Sequence, residues 1–281
     1  MNEQNVDYLK NQIKYTGFGE NLSEHLMEKI EQQLETFTLE YQTTYGRSLM
    51  EVELYFSKSL TQNMYFFNAY VVNLKGPAGK MSQTFYINKG NSITLKEAYN
   101  LMSGRAVQKN FLNKEGTDYT CWVQLDPFTT TANGNYKLAY YHKNYGYDLE
   151  LTISKYPILE MQLDEFKDSI LTSLQKGNLQ MVTFEIDGKE EIRFIEANPK
   201  FKSITIYNES MEKQFWQPES TRIKIVAEES PNSEEKTQEK DQTTQEKGLT
   251  QKAQNSEGKI QDIAEEPEVK RKKRPRIHTK T

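Results

Sequence analysis

The sequence predicts an α+β fold of antiparallel sheets with helices packed on them, followed by a disordered tail. Three observations carry this. Apolar residues alternate with period two over several short runs, and turn residues separate those runs. Between the runs stand a few segments whose apolar spacing is helical. Finally, every aromatic side chain of the 281-residue chain lies at or before Trp216, which leaves the last 65 residues without the apolar density a core needs. The globular region is therefore placed at residues 1–216 and the tail at 217–281.

The first helix is read from Val6, Leu9 and Ile13 and is broken at Gly17 and Gly19. Asn21, with Glu24 three residues on, is expected to cap a second helix whose stripe is Leu22, Leu26, Ile30 and Leu34. Period two begins at Phe37, Leu39 and Tyr41. It resumes after a Gly46-Arg47 turn at Met50, Val52, Leu54 and Phe56. Residues 64–74 are apolar on both faces, which predicts an inner strand covered from two sides. Phe85 and Ile87 close a further strand before Asn88-Lys89-Gly90-Asn91.

Thr94-Leu95-Lys96-Glu97 is a capping box for a helix with Leu95, Ala98, Tyr99 and Met102 on one face and Gly104 as its stop. Asn113-Lys114-Glu115-Gly116 predicts a three-residue hairpin loop that sets Phe111 opposite Tyr119 and Val107 opposite Val123. Asp164 is expected to cap a helix carrying Phe166, Ile170, Leu171 and Leu174, stopped by Gly177. The next hairpin turns at Asp187-Gly188. A three-residue loop is favoured there, because it pairs Phe184 with Ile192 and Val182 with Phe194, where a two-residue loop would set Phe184 opposite Glu191.

These pieces recur. Leu101-x-x-Gly104, Gly116 and Asp126-Pro127 match Leu174-x-x-Gly177, Gly188 and Asn198-Pro199, so residues 95–140 and 164–207 read as copies of a helix–hairpin–strand unit. Residues 34–74 read as a looser first copy.

Chemistry is sparse. No run of apolar residues is long enough for a membrane-spanning helix. The polar, acidic opening Met1-Asn2-Glu3-Gln4 does not resemble a secretory signal, so a cytoplasmic location is expected. The single cysteine, Cys121, allows no internal disulfide, and its alternation with Tyr119, Val123 and Leu125 places it in the core as a small hydrophobe. His25, His142 and His278 are scattered, and no metal or cofactor site is assigned. Gly17-Phe18-Gly19 follows a helix and lacks a third glycine, so it reads as a connection and not as a dinucleotide loop. Glu185, Glu190 and Glu191 fall mainly on the outward face of their hairpin. No catalytic residue is assigned. A nuclease or hydrolase would require an acidic or metal cluster that folding assembles from distant residues.

Two segments point to binding. Lys270, Arg271, Lys272, Lys273, Arg274 and Arg276 give residues 270–281 seven basic and no acidic side chains, behind a linker at 218–269 with 13 acidic and 7 basic ones. Such an end neutralises phosphates without reading sequence, and a coil of this length lets it sample about 40 Å. The stretch Arg222-Ile223-Lys224-Ile225-Val226 is either a last edge strand or linker. Tyr136, Tyr140, Tyr141, Tyr145 and Tyr147 interleave with Lys137, His142 and Lys143. Such rings stack bases, anchor a protein partner, or line a half-buried sheet.

Met1-Asn2-Glu3-Gln4-Asn5, Tyr15-Thr16-Gly17-Phe18-Gly19, Met64-Tyr65-Phe66-Phe67-Asn68, Lys96-Glu97-Ala98-Tyr99-Asn100-Leu101, Gly104-Arg105-Ala106-Val107, Asn113-Lys114-Glu115-Gly116, Ser173-Leu174-Gln175-Lys176-Gly177-Asn178 and Glu196-Ala197-Asn198-Pro199 follow one another in order. Over residues 1–210 the chain resembles uncharacterised proteins encoded on conjugative transposons and related mobile elements of Bacteroidetes. Its Leu-x-x-Gly-Arg-Ala-Val unit is similar to a domain of unknown function in other proteins of those elements. The resemblance implies a bacterial cytoplasm and genes that move DNA, and brings no activity, ligand or catalytic residue. The expectation is a non-enzymatic accessory protein whose body binds a protein partner and whose basic end contacts nucleic acid. The alternative is a pure protein–protein module, an inhibitor or regulator, with the tail as a spacer.

Overall fold

The computed structural model describes residues 2–88, 92–113 and 115–216. The expected tail at 217–281, with its linker, its candidate strand at 222–226 and its basic end, lies outside the described residues, as do three of the four residues of the turn at 88–91.

Helices α1 (Glu3–Ile13) and α2 (Ser23–Glu31) precede a first sheet of β1 (Thr36–Tyr45), β2 (Ser48–Lys58), β3 (Tyr65–Gly76) and β4 (Gly79–Tyr86), paired in that order. Helix α3 (Leu95–Met102) leads into a second sheet of β5 (Val107–Leu112), β6 (Asp118–Thr130) and β7 (Tyr136–His142). Helices α4 (Leu149–Ile153) and α5 (Asp164–Gln175) lead into a third sheet of β8 (Gln180–Ile186), β9 (Lys189–Asn198), β10 (Ser203–Tyr207) and β11 (Lys213–Gln214). All pairings are antiparallel, so the α+β class stands.

Three segments share the order helix, hairpin, third strand: α2–β1–β2–β3, α3–β5–β6–β7 and α5–β8–β9–β10. Helix α3 ends at Gly104 (φ +82°), with the Arg105 amide donating to Asn100 O at 3.0 Å. Helix α5 ends the same way at Gly177 (φ +75°), with the Asn178 amide donating to Ser173 O at 3.1 Å. Both are left-handed closures that satisfy the helix's last carbonyls. In the first unit Gln33 holds that position (φ +55°), three residues after Ile30 as Gly104 is after Leu101. The first of these segments thus closes its helix with a glutamine in the place of glycine.

Two cores result. The first sheet's inner face, α1, α2, α3 and one face of the second sheet enclose one, with Leu9, Leu26, Leu54, Tyr70, Leu101 and Val123 buried. The second sheet's other face, α4, α5 and the third sheet enclose the other, with Trp122, Ile153, Leu174, Phe184 and Ile195 buried. Strand β6 thus buries both its faces: Cys121 and Val123 point into one core and Trp122 into the other. The join between α3 and α5 is polar and closed. Asn100, fully buried, donates to Lys176 O (2.7 Å) and Asn178 Oδ1 (3.0 Å) and accepts from Arg105 Nη2 (2.7 Å), while Arg105 Nε donates to Gly177 O (2.8 Å).

Most local readings hold. The Thr94–Glu97 capping box forms, and Val107 pairs with Val123 and Phe111 with Tyr119 across a loop closed by Gly116 (φ +79°). The 17–19 connection bends at Gly17 and drives Phe18 into the core, edge-on to Tyr41 and Tyr70.

Others are corrected. Asn21 does not cap α2: burial of Leu22 sets the first turn at Ser23, and Leu34 is left exposed. Asp164 lies inside α5, where with Glu165 it complements the positive end of the helix and caps nothing, and Phe166 faces solvent. Strand β3 is central, but its outward face is only partly covered, with Phe66 exposed. The third-sheet hairpin has the two-residue loop: Asp187 (φ +51°) and Gly188 (φ +71°) are both left-handed, and Phe184 pairs with Glu191 and Val182 with Arg193. That turn matches the twist of the strands, and the turn chemistry outweighs the apolar pairing. Ile192 consequently faces outward, while Glu191 turns to the inner side and pairs with Arg193 at the sheet's rim.

Candidate partner-binding surface

Strand β7 carries the tyrosine-rich segment. Alternation along it sends Tyr136, Leu138 and Tyr140 to the first-core side and Tyr141 to the second. Tyr136 is clamped by its backbone: its amide donates to Gln83 Oε1 (2.9 Å) and its carbonyl accepts from Gln83 Nε2 (3.2 Å). Past β7 the chain turns at Gly146 (φ +78°), and Tyr145 Oη donates to Lys200 O (2.7 Å). Tyr147 Oη donates to Ser203 O (3.1 Å), and burial raises its phenol far above the usual range. Tyr141 lies edge-on to Tyr145 at 5.1 Å. Three of the five rings therefore tie the second unit to the third, and a fourth residue ties it to the first.

Tyr140 is different. It is 40% exposed and belongs to a ring of four side chains on the second sheet, where the first core thins out. Phe111 is edge-on to Tyr140 (5.9 Å) and stacked on Tyr119 (5.8 Å), while His142 lies 5.6 Å from Tyr119 and 6.3 Å from Tyr140. Three paired strands fix the rings, so the patch presents aromatic area at little further entropic cost.

Cys121 lies in the same face, directly across from His142. A thiol opposite an imidazole is the juxtaposition a nucleophile needs, and no local pattern announces it because the partners are 21 positions apart in the sequence. Burial decides the outcome: the residue is 1% exposed and its thiol is pushed up to about 11, so it stays protonated. Because the folded value lies above the ordinary one near 9, the unfolded chain ionises first, and stability falls as pH rises from about 9 to 11. Unfolding curves of the wild type and Cys121→Ala should therefore diverge over that window, with the wild type losing roughly 2 kcal/mol relative to the variant. A thiol reagent at pH 8 should label only the unfolded chain, and rapid labelling of the native protein would contradict this burial.

The remaining concavities are shallow. One, of about 480 Å³, opens beside α4 and is lined by Asp148, Glu150, Ser154, Tyr156, Met161 and Lys167, with a Lys167–Glu150 ion pair at 2.5 Å. Among the described residues, no group of three or more His, Cys, Asp and Glu side chains is placed to hold a metal ion, and no helix is long and apolar enough to cross a membrane. The six basic candidates at 270–276 lie outside the described residues. Comparison of the chain with protein-family models, curated proteins and solved structures returned no match.

Proposed function

We propose that the chain is a non-enzymatic accessory protein of a mobile genetic element, acting in a bacterial cytoplasm. Its folded body binds a protein partner, and the basic residues Lys270, Arg271, Lys272, Lys273, Arg274 and Arg276 hold nucleic acid without sequence preference. The observation that carries the first half is the half-exposed ring patch of Phe111, Tyr119, Tyr140 and His142 on a rigid sheet, the kind of aromatic surface from which protein interfaces draw their anchors. The second half rests on the charge of the chain's end.

Each half has its own test. In gel shifts, the full chain should bind duplex DNA with a log K against log salt slope of roughly −5, as six neutralised phosphates require. A chain stopped at Val269 should lose that affinity, and equal binding by both at low salt would remove the arm from the mechanism. In pull-downs with nuclease present, a protein partner should be retained by the wild type and lost with Tyr140→Ala. Retention of a partner together with an inert basic end would favour the pure protein–protein module.

A further inference from the structure

We infer that the outward face of the third sheet is a docking site for an amphipathic helix of a protein partner, one with basic residues at the end that covers Glu185 and Glu190. The inference rests on reading the body as a binding protein, and it names the kind of partner at a surface distinct from the Tyr140 patch.

The internal repeat carries the argument. Aligning Leu101 with Leu174 and Gly116 with Gly188 sets Gln108 and Trp122 against Met181 and Phe194, and strand pairing puts Tyr141 and Tyr207 in the same place on the third strand. In both sheets these three residues stand directly opposite one another across the strands, Gln108↔Trp122↔Tyr141 in the second and Met181↔Phe194↔Tyr207 in the third. They are one structural row used twice. In the second sheet the row is covered: Trp122 is 3% exposed, shares its core with Leu149 and Ile153 of α4 and Ile170 and Leu174 of α5, and meets the edge of Tyr147 at 5.5 Å. In the third sheet no following helix is present among the described residues, and the row is open at its Met181 end, with Phe194 and Tyr207 half-buried. Met181 is 57% exposed, and Ile192 in the neighbouring row is 42% exposed.

In the first unit the residue four past Gln33, as Gln108 is four past Gly104 and Met181 four past Gly177, is Phe37, and its row Phe37↔Phe56↔Phe67 is buried in the core shared with α1, α2 and α3. Stacked repeats need polar outer faces on their end units. The third unit instead ends on the apolar row that the other two cover with helices.

What covers the row inside the molecule indicates what would cover it outside: a helix with apolar residues at i and i+4, as Ile170 and Leu174 are on α5. Charge sets its direction. Glu185 and Glu190 are directly opposite each other at the hairpin end of this face, both exposed, and neither forms an ion pair among the described residues. Like charges so placed repel, and a cationic helix end relieves them.

The test uses the full chain as bait for a displayed library of helical peptides with apolar residues fixed at i, i+3, i+4 and i+7 and all other positions random. Enriched peptides should carry Lys or Arg clustered at one end. Their binding should weaken at least tenfold with Met181→Glu or Ile192→Glu, and at least tenfold at low salt with Glu185→Lys/Glu190→Lys. Leu60→Glu, at an exposed apolar side chain in another loop, should leave it unchanged. Absence of enrichment, or binders indifferent to Met181→Glu, overturns the site. So does a wild-type dimer that Met181→Glu dissociates, which would make a second copy the occupant. If helix capture fails while a Tyr140-dependent partner is still retained, the helix site falls and the broader reading survives. Loss of both removes the two together.

Discussion

Replacing Gly177 by alanine should lower the stability of the folded body by about 3 kcal/mol, while the same change at Gly104 should cost only about 1 kcal/mol. The two glycines occupy the same place in successive units and close their helices with nearly the same backbone, φ +82° at Gly104 and +75° at Gly177. Each substitution carries the left-handed penalty of a residue with a Cβ. Their surroundings differ. A Cβ on Gly104 meets nothing within 4 Å, whereas on Gly177 it would stand 2.7 Å from Ala106 O, 2.9 Å from Val107 Cγ2 and 3.2 Å from Asn100 Cβ. None of these can swing away: the first is backbone, the second a β-branched side chain on a buried strand, the third a side chain held by three hydrogen bonds. Relief requires α5 to retreat from the second sheet, which stretches the Arg105–Gly177 and Asn100–Lys176 hydrogen bonds that join the units. Urea midpoints for the two variants, read with a common m-value, measure the difference. Equal shifts would mean that the contact between the helix ends yields easily and does not lock the units together.

The same glycines explain why so much of the fold was legible. A positive φ is a backbone demand that few residues meet cheaply, so Gly104, Gly116, Gly177 and Gly188 mark helix ends and hairpin loops directly in the sequence. Where glycine was replaced, the signal vanished. Gln33 performs the same turn at φ +55°, and a glutamine gives no sign of that backbone in the sequence. The register of the hairpin at 114–116 is legible because turn chemistry and apolar pairing agree there. At Asp187-Gly188 they disagreed, and the turn won. The Tyr140 patch was only half legible. Alternation located its tyrosine, but Phe111, Tyr119 and His142 join it through pairing across strands, and which rings are consumed as internal ties depends on contacts with Gln83, Lys200 and Ser203 from other units. The open row on the third sheet follows from the two-residue loop, which sets Ile192 opposite Thr183 on the outward face; apolar pairing alone would set it opposite Phe184.

Trp122→Ala should have the largest effect of any single truncation in the second core, about 3 to 5 kcal/mol. The indole is 3% exposed and fills the space between the second sheet and the α4–α5 layer, so its removal leaves a cavity bounded by paired strands that cannot collapse into it. The pattern of the loss is as informative as its size. Its strand neighbours Cys121 and Val123 belong to the other core, so the variant weakens one side of β6 and leaves the other packed. If the cores open separately, native-state hydrogen exchange should show amides of α5, β8 and β9 losing protection by the full amount while those of β2 and β3 keep theirs. That outcome would also account for the residues at the join: Asn100 and Arg105 would hold together two units that fold semi-independently, as stacked repeats do. A uniform fall in protection across all three sheets would instead make the two cores a single cooperative body, in which the repeat survives in the sequence and the backbone but no longer in the energetics.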